Sequence, residues 1–257
     1  AQSDHLNQLK TDILTLEEDA KRLAAAAPPT DETPGDRTRQ YIGDGDRQYL
    51  TGLKVGGQRI LFLVDASASM LDDTIVNIIR RRNLPDEQKL RAEKWRQALA
   101  TADWLTTQIP RDSSYQIYVF SETARAVLPG TQDVWLDGSD AEVMNRALGE
   151  LRAVIPDGAT SLIKAFEVAN TLEPAPDNIT LITDGLPTLG RGPSKGGTVS
   201  ARQRARLFER ASRIPPKNIP INVILFPMEG DPAAASAFWK LAMASRGSMM
   251  GISEDWP

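Results

Sequence analysis

Ile60 to Val64 is an unbroken apolar run, Ile-Leu-Phe-Leu-Val, set between Gly56-Gly57 and Asp65. It has the length of a strand and is too short for a helix. A run without alternation predicts a strand buried on both faces of a parallel sheet. Asn178 to Thr183 repeats the pattern and ends at Asp184-Gly185. Tyr115 to Ser121 and Ile219 to Phe226 read as further strands, Ala124 to Leu128 as a hairpin mate, and Ser248 to Ile252 as a last short strand. Between them apolar residues recur at helical spacing. Pro85 to Ile109 is the best match, with Leu90, Trp95, Leu99, Ala102 and Leu105 on one face and Pro110 as the stop. Ser139 to Ile155 predicts a helix capped by Ser139, with Glu142 in the capping-box position. Thr160 to Leu172, Ala201 to Ile214 and Pro232 to Arg246 predict three more. Strands alternating with helices specify an α/β fold, a mostly parallel sheet covered on both faces.

The amino end follows another pattern. Leu6, Leu9, Ile13, Leu16, Ala20, Leu23 and Ala27 alternate three and four apart, so residues 1–27 read as an amphipathic helix that ends at Pro28-Pro29. It suits a short coiled coil with weak self-association, a stalk leading to a membrane, or a helix docked on the domain. Residues 28–52, rich in Pro, Gly and Asp at their start, read as a linker, and 53–257 as the domain proper. Residues 71–84 precede the first long helix and read as an insertion. Its Ile75, Val76, Ile78 and Ile79 are expected to pack as the core face of a short helix. Leu186 to Ser200 is a Gly-rich loop, expected as a mobile rim, and its Lys195-Gly-Gly lacks the spacing of a phosphate-binding loop.

Composition adds exclusions. Hydrophobic residues make up 41% and charged residues 25% of 257 residues, as in ordinary globular proteins. A net charge of −4 gives no reason to expect nucleic acid as a partner. Without Cys there are no disulfides and no thiolate metal sites. No apolar stretch reaches the length of a membrane span. The chain begins Ala-Gln without Met, so a removed signal, membrane anchor or tag upstream is expected.

The candidate chemistry lies where the first apolar run ends. Asp65, Ser67 and Ser69 carry oxygen on alternate residues, and a carboxylate with two hydroxyls offers hard ligands for Mg²⁺, Mn²⁺ or Ca²⁺. Taken alone, the same pattern is also that of a strand followed by an Asx/Ser turn. Thr160, at a helix start after Pro156-Asp157-Gly158-Ala159, and Asp184, at the end of the second run, complete the set. Ligands of open α/β sheets bind beyond the carboxyl ends of the strands.

Asp65-x-Ser67-x-Ser69, Thr160 of Gly-Ala-Thr and Asp184 of Thr-Asp-Gly resemble the metal-ion-dependent adhesion site of von Willebrand factor type A domains. The resemblance spans about residues 53–252. It implies a Rossmann-like fold with a six-stranded sheet, the hairpin strand antiparallel at one edge, and first and fourth strands adjacent so that Asp65 lies beside Asp184. It implies that Ser67, Ser69 and Thr160 supply hydroxyls to a divalent metal, with Asp65 and Asp184 binding directly or through water. An open metal position then takes an acidic side chain of a partner protein, without catalysis. Some bacterial members are membrane-anchored, and a cell-envelope location is expected. Around that metal Asp72-Asp73 are expected to repel a carboxylate or fill the open position, and Arg80 to Arg82 to attract one.

Two other readings stand beside this one. A Mg²⁺-dependent phosphatase of the haloacid-dehalogenase type needs D-x-D, and position 67 is Ser. A serine hydrolase needs a base; the only His is His5, leaving Lys164, one helical turn beyond Thr160. The third reading is a scaffold that oligomerises through residues 4–27.

Overall fold

The computed structural model describes residues 56–192, 198–253 and 256. The expected amino-terminal helix and linker, and Lys195-Gly-Gly, lie outside the described residues.

Among the described residues seven strands form one sheet: β1 (Arg59–Asp65), β2 (Ser114–Phe120), β3 (Ala124–Ala126), β4 (Leu136–Asp137), β5 (Asn178–Thr183), β6 (Ile221–Leu225) and β7 (Met249–Gly251). Their order is β3-β2-β1-β5-β6-β7, with β4 also paired to β2. β1 runs parallel to β2 and β5, and β6 parallel to β5 and β7, while β3 and β4 pair antiparallel with β2. Six strands were expected. The seventh is the two-residue β4, which extends the edge just after Trp135, whose indole N–H donates to Pro174 O at 2.9 Å.

The period-two pleat of β1 explains why its apolar run has no alternation. Ile60, Phe62 and Val64 face one layer, and Leu61 and Leu63 the other. The first layer holds α3 (Glu93–Thr106) and α4 (Ala141–Arg152) through Trp95, Ala98, Leu105, Met144 and Leu148. The second holds α5 (Leu162–Glu167), α6 (Ala201–Ala211) and α7 (Ala234–Ser245) through Phe166, Ala211, Phe238 and Leu241.

Several boundaries differ from expectation. The long helix from Pro85 is two: α2 (Asp86–Leu90), with no buried residue, and α3, which starts after a bend at Arg91-Ala92. Asp86 to Lys89 offer no apolar anchor that would hold that turn in line with α3. The cap of α4 is Asp140 and not Ser139. Its carboxylate accepts the Glu142 and Val143 N–H groups at 3.0 Å each, while Ser139 donates to Asp137. Residues 75–82 do form a short helix, α1 (Ile75–Arg82), but of the four apolar residues only Ile78 is buried. Ile75, Val76 and Ile79 are 44%, 62% and 58% exposed. The helix rests on the domain by one edge, so a single residue reaches the core.

Candidate metal centre

β1 and β5 pair in the register Val64↔Ile182, which brings Asp65 beside Thr183 and close to Asp184. Asp65 is wholly buried. Its two oxygens accept the Ser67 N–H at 2.9 Å and the Thr183 hydroxyl at 2.7 Å. Immediately after β1 the chain tightens into a 3₁₀ turn, Ala68–Leu71, which begins where Met70 N–H meets Ser67 O at 3.0 Å. That turn leaves the Ser67 and Ser69 hydroxyl oxygens 3.0 Å apart.

Thr160 arrives from the loop after α4. The loop is fastened to the turn by Asp157 N–H on Ala66 O at 2.9 Å and Ala68 N–H on Gly158 O at 3.0 Å. Gly158 has φ +79°, a left-handed conformation that glycine adopts without strain. Ser161 caps α5, and its hydroxyl also donates to Gly190 O at 2.9 Å. Thr160 Oγ1 is thereby placed to donate to Ser67 Oγ at 2.9 Å, and Ser69 Oγ donates to Asp184 Oδ1 at 2.9 Å. Each hydroxyl has one proton, so the donors run Thr160 to Ser67 to Ser69 to Asp184. The loop after Asp184 is clamped in turn. Asp231 accepts the Leu186 N–H and an Arg204 N–H, each at 2.6 Å.

All five residues singled out in the sequence therefore meet at one place. Among the described residues no three His, Cys, Asp or Glu side chains converge, so hydroxyls dominate the set. A sixth residue was missed. Lys94, near the start of α3, is buried beside Asp184, its Nζ 2.8 Å from Asp184 Oδ2 and 3.1 Å from both Ser69 O and Asp72 O. The signal was available: Lys94 precedes Ala98 and Thr101 by four and seven, on the buried stripe of the helix. Lys164, the conceivable base, instead pairs with Glu167 at 3.1 Å on a half-exposed surface.

At the rim Asp72 is engaged by residues of α1 and its start, and is not free to fill the site. It accepts from Thr74 N–H, Asn77 and Arg81, and these hydrogen bonds hold its carboxyl below the usual range although burial opposes them. Asp73 lies 3.6 Å from Lys94, and Arg81 is committed to Asp72. Glu229, after β6, accepts the Ile75 N–H at 3.0 Å and donates its own N–H to Asp73 O at 2.8 Å, which locks the start of α1.

Burial first, then repulsion by Asp184, pushes the Asp65 carboxyl up to about 7, against hydrogen bonds from Ser67 and Thr183. The cation-free native state thus keeps a proton that the unfolded chain releases near pH 3.9. Its stability is expected to fall as pH rises from about 4 to about 7 and then to level off. Denaturant melts in EDTA across that window test this. Asp65→Asn should flatten the slope, and an unchanged slope would assign it elsewhere.

Residues 60–186 match the family model of the von Willebrand factor type A domain. That stretch is therefore a von Willebrand factor type A domain, and the mostly parallel sheet with its helices agrees with that α/β fold. Among solved structures it is similar to a von Willebrand factor type A protein from Catenulispora acidiphila, at 16% identity and TM-score 0.50, covering 76% of this chain and 38% of that one. An ArnB paralog, VWA2, from Sulfolobus acidocaldarius is similar at 21% identity and TM-score 0.46, over 76% of this chain and 41% of that one. The PilB minor pilin from Streptococcus sanguinis matches at 14% identity and TM-score 0.46, over 77% and 58%. No curated protein sequence matches the chain. Among the described residues no helix is long and apolar enough to cross a membrane.

Proposed function

We propose that this chain is a divalent-cation-dependent protein-binding domain. In this reading Ser67, Ser69 and Thr160, with Asp65 and Asp184, hold Mg²⁺, Mn²⁺ or Ca²⁺, and an acidic side chain of a partner protein completes the site. The observation that carries it is the row of oxygens Thr160, Ser67, Ser69 and Asp184, spaced 2.9, 3.0 and 2.9 Å. Neighbouring corners of an octahedron with bonds of 2.0–2.1 Å lie about 2.9 Å apart. The hydrogen bonds can thus give way to bonds with a small hard cation without rearranging the turn. When bound, the cation supplies a Lewis-acid position for a carboxylate. The chain's own residues orient the hydroxyls, keep Asp65 dry and present the rim.

That rim favours a protein as partner. The exposed Ile75, Val76 and Ile79 of α1 stand beside exposed Arg80 and Arg82, and suit a segment whose carboxylate is flanked by apolar side chains. Binding without catalysis fits the contacts of Lys94, whose three N–H groups are all given to oxygen acceptors of the fold. A cell-envelope location belongs to the same proposal, and membrane fractionation tests it.

EDTA-stripped protein titrated with Mn²⁺ in a calorimeter, and melted with and without it, tests the reading. Saturation at a hundred times Kd is expected to stabilise by about 2.7 kcal/mol. Ser67→Ala should remove most of that gain. A parent protein without binding heat and without a shift in melting at millimolar cation would sink the proposal. In a second arm, Arg80→Ser with Arg82→Ser is expected to weaken capture of an acidic peptide by the loaded domain, more at low salt than at high.

A further inference from the structure

Lys94 is the feature the proposed site does not call for. Its side chain is 4% exposed and that of Asp184 3%, so this ion pair is shut away from solvent. The three N–H groups of the ammonium match three acceptors: Asp184 Oδ2, Ser69 O and Asp72 O. Two of those are the carbonyls of Ser69 itself and of the residue that ends the turn. Asp184 is divided between two partners, one oxygen taking the Ser69 hydroxyl and the other the lysine. A divalent cation at the hydroxyls would have to share that carboxylate with a charge already present.

We infer that Lys94 is a tethered counter-cation that weakens the site for free divalent ions and makes the loaded site more attractive to a carboxylate. The inference rests on the cation-binding reading above. Among the buried groups, Asp65 and Asp184 ionised would carry two negative charges, and Lys94 reduces their sum to one; Asp73, 3.6 Å from Lys94, is half exposed and its charge is screened by solvent. A divalent ion then leaves the site with one net positive charge in place of none, in a setting where burial keeps screening low. Cation entry is less favourable, and the carboxylate that follows gains an unbalanced charge to neutralise. By linkage the carboxylate must return the same factor to the cation. Metal occupancy and partner binding become a joint event, while the empty site stays ordered because Lys94 holds Asp184 and both carbonyls.

The test uses Lys94→Met, close in length and uncharged, and Lys94→Gln, which keeps an N–H donor. EDTA-stripped proteins are titrated with Mn²⁺ in carboxylate-free buffer; acetate is then titrated into the Mn²⁺-loaded proteins, with Mn²⁺ water-proton relaxation as the readout. The expected result is a Mn²⁺ Kd at least tenfold lower in the variants, with weaker acetate binding. A variant that folds only when Mn²⁺ is added supports the inference as well. Equal or weaker Mn²⁺ binding in folded variants overturns it and leaves the cation reading standing, with Lys94 confined to positioning Asp184. Two variants that stay unfolded with Mn²⁺ present overturn it in the same sense. If neither parent nor variants bind Mn²⁺, the cation reading falls and the inference with it.

Discussion

Asp184→Ala is expected to lower the melting temperature of the cation-free domain by about 6–20 °C and to abolish its response to divalent ions. The larger part of the thermal effect comes from what the substitution leaves behind. Lys94 Nζ lies 2.8 Å from Asp184 Oδ2 with both side chains buried, and removing the carboxylate strands an ammonium inside the protein. Breaking one partner out of a buried pair costs about 3–5 kcal/mol. In a domain of about 200 residues each kcal/mol is worth about 2–4 °C. The Ser69 hydroxyl loses its acceptor at the same time, so the donor row from Thr160 has no carboxylate at its end. Asp184→Asn keeps an oxygen for Ser69 and is expected to melt above Asp184→Ala, still without response to divalent ions. Scanning calorimetry of both variants, with EDTA and with Mn²⁺, checks this. A parent-like melting temperature for Asp184→Ala would mean that Lys94 finds another anion, and Asp73, 3.6 Å away, is the candidate.

Gly247→Ala is expected to destabilise the domain by about 3 kcal/mol or more, a large effect for one methyl group. At the end of α7 the chain turns back toward the sheet edge. An added Cβ would lie 2.5 Å from Ile221 C and 2.8 Å from Ile221 N, and closer still to its carbonyl oxygen. These are backbone atoms of β6, so no side chain can swing aside. The turn would have to lift. Lifting it pulls away Val223 N–H from Ser248 O, 2.8 Å, and Ser248 from Asn222 Oδ1, where its hydroxyl sits at 2.6 Å. Neighbouring Arg246 makes the useful contrast. It occupies the left-handed region at φ 64°, where a side chain costs about 1–2 kcal/mol and glycine does not. Arg246→Gly is therefore expected to stay within about 1 kcal/mol of the parent, since relief of strain offsets the added chain entropy. Urea unfolding of the two variants decides. If the adjacent glycine substitution hurts and Gly247→Ala does not, the turn is looser than its packing implies.

Strand positions were legible because burial on both faces leaves a largely apolar run. Ile60 to Val64, unbroken, and Ile179 to Ile182, interrupted only by the β-branched Thr180, announce β1 and β5 with no help from tertiary structure. The oxygen-bearing residues that follow could be placed for the same reason: a strand's end dictates where the next side chains emerge. Helix ends were less legible. Asp140 and Ser139 are both good capping residues, and only the neighbouring turn at Asp137, which takes the Ser139 hydroxyl, assigns the cap to Asp140. The break between α2 and α3 escaped because period 3.6 registers the face of a helix and not the direction of its axis.

By itself, then, the sequence determined the α/β alternation, the parallel sheet, and the position of Asp65 and Asp184 at strand ends, all of which follow from local periodicity. That Asp65, Ser67, Ser69, Thr160 and Asp184 meet was legible only through the resemblance to the von Willebrand factor type A site, because periodicity does not state which strands lie side by side. Tertiary structure alone decided that Ile75, Val76 and Ile79 stay in solvent, that Asp72 turns toward Arg81, and that Lys94 reaches across to Asp184. An apolar residue does not state which neighbour will cover it. A lysine on a buried stripe does not name its counter-charge, because in this fold the partner lies 90 residues further along the chain.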